Sequence, residues 1–123
     1  MARAGYQSLA AVLMGAAALN AAHAQGRFAT DGIYAVDIVT RHGSCDRGYH
    51  WMIAVSGGRV SSAGDALMNA SGRISRRGIV ALAFERFGEI ATAIGKLSQG
   101  KGSGIWSSPT LQCAGSWRAT RRG

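Results

Sequence analysis

The sequence predicts an all-β fold: a small antiparallel meander of about eight short strands, closed as a barrel or packed as a sandwich, and tied by one disulfide. Three observations predict it. Apolar and polar residues alternate with period two along nearly the whole chain from residue 25 onward. Glycine-bearing turns interrupt that alternation about every 10 residues. The only two cysteines, Cys45 and Cys113, stand far apart, one near each end of the alternating region.

Tyr34, Val36 and Ile38 share one face of the first strand, with Asp37 opposite. Tyr49, Trp51, Ile53 and Val55 line the second. Ser56-Gly57-Gly58-Arg59 then reads as a tight hairpin, because paired glycines supply the positive φ angles of primed turns. Residues 60–63 make a short third strand. Met68, Ala70, Gly72 and Ile74 alternate in the fourth, and residues 75–78 turn the chain into a fifth carrying Val80, Leu82 and Phe84. After Phe87-Gly88 come Ala91, Ala93, Gly95 and Leu97, alternating with Ile90, Thr92, Ile94 and Lys96. Residues 99–102 lead into Ser103-Gly104-Ile105-Trp106, and Cys113, Gly115, Trp117 and Ala119 share a face of the last strand. A helix over 79–97 competes, since alanine is frequent there. Gly88 and Gly95 interrupt it, β-branched residues are common, and no caps bracket it, so strands are expected.

The chain opens with a different kind of segment. Arg3 is the only charge in the first eight residues, residues 9–19 (LAAVLMGAAAL) are uncharged and mostly apolar, and Ala22-His23-Ala24 ends the run with small residues at −3 and −1. That order predicts a secretory signal peptide over 1–24, leaving 25–123 as one β-domain. The apolar run is too short for a membrane span, which needs roughly 20 residues. No later segment is long and apolar enough to span, so the mature form is expected in the periplasm or outside the cell. Only Arg3 would leave with the signal, taking the formal net charge from +8 to +7.

Export gives the cysteines a meaning. In an oxidising compartment a lone widely spaced pair forms a structural bridge, and closing so long a loop stabilises by roughly 4 kcal/mol in the chain-entropy model. Cys45 falls in the loop after the first strand and Cys113 opens the last, so the bridge ties the two ends of the sheet. Glycine and tryptophan are patterned together as well. Gly102-x-Gly104-x-Trp106 and Cys113-x-Gly115-x-Trp117 each set two small residues before an indole at alternate positions. Small inward residues let the sheet coil tightly, and the indoles are expected to fill the room they leave as core plugs.

No catalytic constellation stands out, and no enzyme activity is expected. Arg41-His42-Gly43 matches the nucleophile tripeptide of histidine phosphatases, but those enzymes need further arginines and a second histidine on an α/β scaffold. His42, Asp46 and His50 make at most a weak, open metal site in a hairpin loop, so no metal is expected. No serine sits in a G-x-S-x-G elbow, and Glu85 and Glu89, the only glutamates, straddle a turn. No C-x-x-C-H motif attaches haem, and no cofactor is expected.

The basic charge is the remaining functional signal. Arg73, Arg76 and Arg77 form one cluster and Arg118, Arg121 and Arg122 another, and these six are the candidate anion-binding residues. In a cytosolic protein they would point to nucleic acid. Export redirects them to anionic glycan, lipopolysaccharide, lipid headgroups or another envelope protein, and no nucleic acid is expected. Basic residues also keep a small β protein soluble and blunt its strand edges. Ile90 and Ile94, facing opposite the small inward residues, are expected to form an exposed apolar strip. The leading expectation is a non-enzymatic binding or structural protein contacting anionic envelope components. A small-ligand or haem-type carrier with a barrel cavity is the alternative, as is a protein inhibitor or adhesion module.

The residues 31–36 (DGIYAV), the Cys45-Asp46-Arg47-x-Tyr49 loop, Ser71-Gly72-Arg73-Ile74 and the two glycine–tryptophan repeats resemble a family of short exported bacterial β-rich proteins of no settled role. Members are sometimes labelled haem-utilisation or adhesion exoproteins. The resemblance covers about 90 residues and implies the same fold and an exported location. Where the family's first strand usually carries tryptophan, this chain has Tyr34.

Overall fold

The computed structural model describes residues 28–63 and 69–123. The expected signal peptide over 1–24, and Met68 of the expected fourth strand, lie outside the described residues. Eight strands run in chain order: β1 (Gly32–His42), β2 (Gly48–Ser56), β3 (Arg59–Ser62), β4 (Asn69–Ile74), β5 (Ile79–Arg86), β6 (Glu89–Ser98), β7 (Lys101–Ser108) and β8 (Cys113–Arg121). All join one antiparallel sheet in the order β3-β2-β1-β8-β7-β6-β5-β4. The architecture is a nearly closed up-and-down barrel rather than a sandwich, and residues 79–97 form strands.

The sheet's free edges are not where the sequence placed them. β1 pairs directly with β8, from Tyr34↔Arg121 to His42↔Ala114, with a register shift between Thr40 and His42. The first and last strands are therefore neighbours in the ladder, and the open seam falls between the short strands β3 and β4. Inward residues follow the expected alternation. Tyr34, Val36, Ile53, Val55, Val80, Leu82 and Leu97 are buried on the inner face.

Primed turns supply the tight connections. Gly57 and Gly58 have φ of 58° and 81°, and the Phe87–Gly88 and Gln99–Gly100 pairs are both left-handed. Such turns twist with their strands, which is why two residues suffice at each.

At the barrel end holding the β2–β3, β4–β5 and β6–β7 turns, the turns join into a ring. Ile74 N–H donates to Gly58 O, Leu97 N–H to Gly78 O, and Arg121 N–H to Gly100 O, each at 2.8 Å. Ile33 N–H donates to Gly123 O at 2.8 Å, and Asp31 Oδ1 accepts from Gly57 N–H at 2.8 Å. The circuit is then complete, and it crosses the β3–β4 seam. Inside it, the fully buried Tyr34 donates its hydroxyl to Thr30 O at 2.9 Å and accepts from Arg121 Nη2 at 3.0 Å. The Arg121 guanidinium also lies 5.5 Å from the Tyr34 ring centroid. This end is closed.

Asp31 carries two bonds of that closure, since its Oδ2 also accepts from Phe28 N–H. Asp31→Ala leaves both amides to find new partners, and its unfolding free energy in urea is expected to drop by about 2 kcal/mol. Asp31→Asn, keeping one acceptor oxygen, should lose less. Equal losses would show that the carboxylate's bonds are not what holds the ring.

Candidate ligand-binding site

Among the described residues, the opposite end carries the loop 43–47 between β1 and β2, the tight Phe87–Gly88 turn, and the loop 109–112 between β7 and β8. Both of these loops are fastened. Thr40 N–H donates to Arg47 O at 2.9 Å, and the Cys45–Cys113 disulfide clips the first loop to the start of β8, across a Cα separation of 6.1 Å. Ser108 Oγ, buried beside Pro109, donates to Ile90 O at 2.6 Å, and Thr110 Oγ1 accepts from Ile90 N–H at 2.9 Å. The expected bridge is present. It sits at this end, beside a β1–β8 junction that backbone hydrogen bonds already make.

Between the loops the barrel opens into a cavity of about 470 Å³. Its walls are mostly apolar, formed by Val36, Ile53, Val80, Leu82, Ala93 and Leu97 among others, with Cys45, Tyr49, Phe87, Ile90 and Leu111 bordering its mouth and Arg86 and Glu89 also in the lining. The tryptophans do occupy the room left by the glycines, but flat against the wall. Trp117 lies over Gly104, Gly102 and Gly95, and its Nε1 donates to Ile94 O at 3.2 Å. Trp106 lies over Gly115 and donates to Val39 O at 3.1 Å. A Cβ on Gly104 would stand 1.9 Å from Ile94 O, and one on Gly115 would stand 1.8 Å from Val39 O. Glycine is thus required for both indoles to lie down, and the lumen beyond them stays unfilled.

The third indole is different. Trp51 of β2 meets Phe84 of β5 edge-on, 5.0 Å between centroids, inside the β3–β4 seam. Its Nε1 is buried and has no hydrogen-bond partner among the described residues. A buried, unpaired indole N–H carries a desolvation cost. Phe87, at the mouth, is 80% exposed with φ of 52°, a conformation costly for an aromatic residue, and the Arg86 guanidinium stacks on it at 5.3 Å.

The six candidate anion-binding arginines are placed as follows. Arg76 and Arg77 sit in the β4–β5 turn and Arg122 follows β8, so the two clusters meet at the closed end. Arg73 and Arg118 point outward from β4 and β8. Arg121 points inward, and its Tyr34 and Ala29 bonds make it part of the closure rather than a free cation. Arg76 stacks on Phe28 at 5.0 Å. His50 engages Asp37 across the β1–β2 pair through Nδ1. Ile90 and Ile94 are exposed as expected, and Ile94 pairs outward with Ile105, 54% and 58% exposed.

Fold and site together define an eight-stranded up-and-down β-barrel with one sealed end and one open, apolar lumen. Comparison with protein-family models, with curated proteins and with solved structures finds no match.

Proposed function

We propose that this chain is a non-enzymatic carrier of a small, mostly apolar ligand, held in the barrel lumen and admitted through the disulfide-clipped end. The observation that carries it is the unfilled cavity of about 470 Å³, within the size range of small-molecule sites. Eight-stranded barrels are narrow enough for large side chains to fill, so Trp106 and Trp117 lying flat over the glycines, with only Ala91 and Ala93 facing in from the middle of β6, leave room for one small ligand. The ligand class follows from the lining. The walls offer mostly apolar burial, with His50, Arg86 and Glu89 the basic and acidic side chains among the lining, which fits a small, mostly apolar molecule. Haem fits less well, because His42 is exposed at the end of β1 and His50 is engaged by Asp37.

Titration with N-phenylnaphthylamine, a neutral apolar dye, should give saturable enhancement at micromolar concentrations together with a change in tryptophan emission, since Trp51, Trp106 and Trp117 all border the lumen. Ala93→Phe fills the lumen and should weaken binding by about tenfold or more, on the order of the cost of overpacking a closed space. The outward Ala81→Phe should bind as the parent does. If Ala93→Phe fails to fold, Ala91→Leu serves the same purpose nearer the mouth. Dye binding that never saturates, or that is unchanged by both inward substitutions, would sink the proposal.

A further inference from the structure

The barrel's two ends differ in charge as sharply as in closure. At the open end Arg41, Arg47 and Arg86 are matched by Asp46, Glu85 and Glu89. At the sealed end the turns and strand termini carry Arg59, Arg76, Arg77, Lys101 and Arg122, besides the inward Arg121 of the closure. The carboxylate among the described residues there, Asp31, already accepts from two backbone amides. The one ion-pair contact among the described residues joins His50 and Asp37, so no described arginine or lysine pairs with a described carboxylate. These cations share a rim because the Gly58, Gly78 and Gly100 carbonyls link each turn to the next strand.

We infer that the sealed end docks on the phosphate headgroups of an anionic lipid surface, leaving the open mouth turned to solvent. Three features point to a lipid surface. The cations ring the base of a cylinder, an arrangement that meets a plane with several side chains at once. Ile79, 52% exposed, follows the Arg76–Arg77 turn directly, and Ile33 is exposed at the start of β1 on the far side of the same rim. Apolar side chains among cations suit the headgroup–acyl boundary, where charge and burial add. Arginine also binds phosphate as a planar, multiply donating group. A soluble acidic polymer would use the cations and leave the isoleucines without a role. The docking does not depend on the lumen holding a ligand, so each can fail alone.

The test is co-sedimentation of the full chain with phosphatidylglycerol-containing vesicles, with pure phosphatidylcholine vesicles as the neutral arm. Salt-sensitive binding to the first alone is expected. The fourfold variant Arg59→Gln/Arg77→Gln/Lys101→Gln/Arg122→Gln leaves the Phe28 and Tyr34 contacts in place. At roughly fivefold per cation near an anionic surface, it should lose on the order of a hundredfold or more. Its circular dichroism and urea midpoint should match the parent, which shows that it has folded whatever the lumen binds. Ile79→Ser should weaken the part of binding that survives high salt, whereas Phe87→Ser at the mouth should change nothing. Equal binding to neutral vesicles, full binding by the fourfold variant, or loss on Phe87→Ser would each overturn the docking geometry. So would retention on an immobilised sulfated glycan with none on vesicles.

Discussion

Removing the bridge with Cys45→Ser/Cys113→Ser is expected to lower the unfolding free energy by about 4 kcal/mol. The two residues are 68 apart in sequence, so the cross-link restricts most of the denatured chain, and loop-closure entropy grows with the length closed. A loss of that size is a large share of the roughly 5–15 kcal/mol that holds a domain folded. It should nevertheless leave a folded barrel at room temperature. The β1–β8 ladder runs from Tyr34↔Arg121 to His42↔Ala114 without help from sulfur, and the turn ring closes the other end. Urea midpoints with and without reductant measure the effect. A loss below about 1 kcal/mol would show that the chain-entropy account fails here.

The same substitution should be felt at the mouth. Cys45 and Leu111 border the cavity on loops that the bridge holds together, with Cys45 N–H donating to Cys113 Sγ at 3.1 Å. Gly43 sits so close beneath that a Cβ there would lie 2.8 Å from Cys113 Sγ. Unclipped, loop 43–47 keeps its Thr40 anchor and loses its tie to β8, so a dye already bound should leave faster. Stability and release rate then move together for this pair, whereas Asp31→Ala at the sealed end should alter stability alone.

Much of the fold was legible because its signals are local. Alternation at Val80, Leu82 and Phe84 marks a strand whatever its neighbours, and Ser56-Gly57-Gly58-Arg59 marks a primed turn by its own backbone needs. The seam was not legible. Which strands remain edges depends on pairings between β1 and β8, far apart in sequence, and the eye assigns edges to the ends of the chain. The cavity was half visible. Ala91, Ala93, Gly95, Gly102, Gly104 and Gly115 are inward positions too small to fill an eight-stranded lumen, and a volume count along β6, β7 and β8 would have exposed the deficit. Tryptophan was expected to make up that volume, because burial says how much surface is covered and not whether a ring stands or lies. The sealed end was hidden for another reason. Asp31 and Arg121 read as a turn acid and a clustered cation, and only the barrel brings them to Gly57 and Tyr34.

Gly104→Ala should be among the most damaging single-methyl additions in the chain, at about 4 kcal/mol. Gly104 has no positive φ, so its backbone would accept alanine, and the whole cost is steric. The new Cβ would meet Ile94 O at 1.9 Å, Trp117 Nε1 at 2.7 Å and Gly95 Cα at 2.8 Å. Two of the three are backbone atoms of the paired strand β6, so the β6–β7 ladder must spread there, and the indole over it must lift as well. Overpacking of this kind costs about 1–3 kcal/mol, and the stranded Trp117 N–H adds a comparable amount. Gly88→Ala supplies the contrast: its φ is 80° and nothing lies within 4 Å of the added carbon, so only the left-handed backbone is penalised, by about 1–2 kcal/mol. Urea unfolding of the two variants separates crowding from backbone strain. A second readout tests what the glycine stripe is for. A lifted Trp117 enters the lumen it formerly walled, so Gly104→Ala should also cut dye affinity in the fraction that remains folded, while Gly88→Ala should not. If Gly104→Ala binds dye as the parent does, the indole does not need to lie flat for the cavity to exist, and small residues on β7 would then serve strand packing alone.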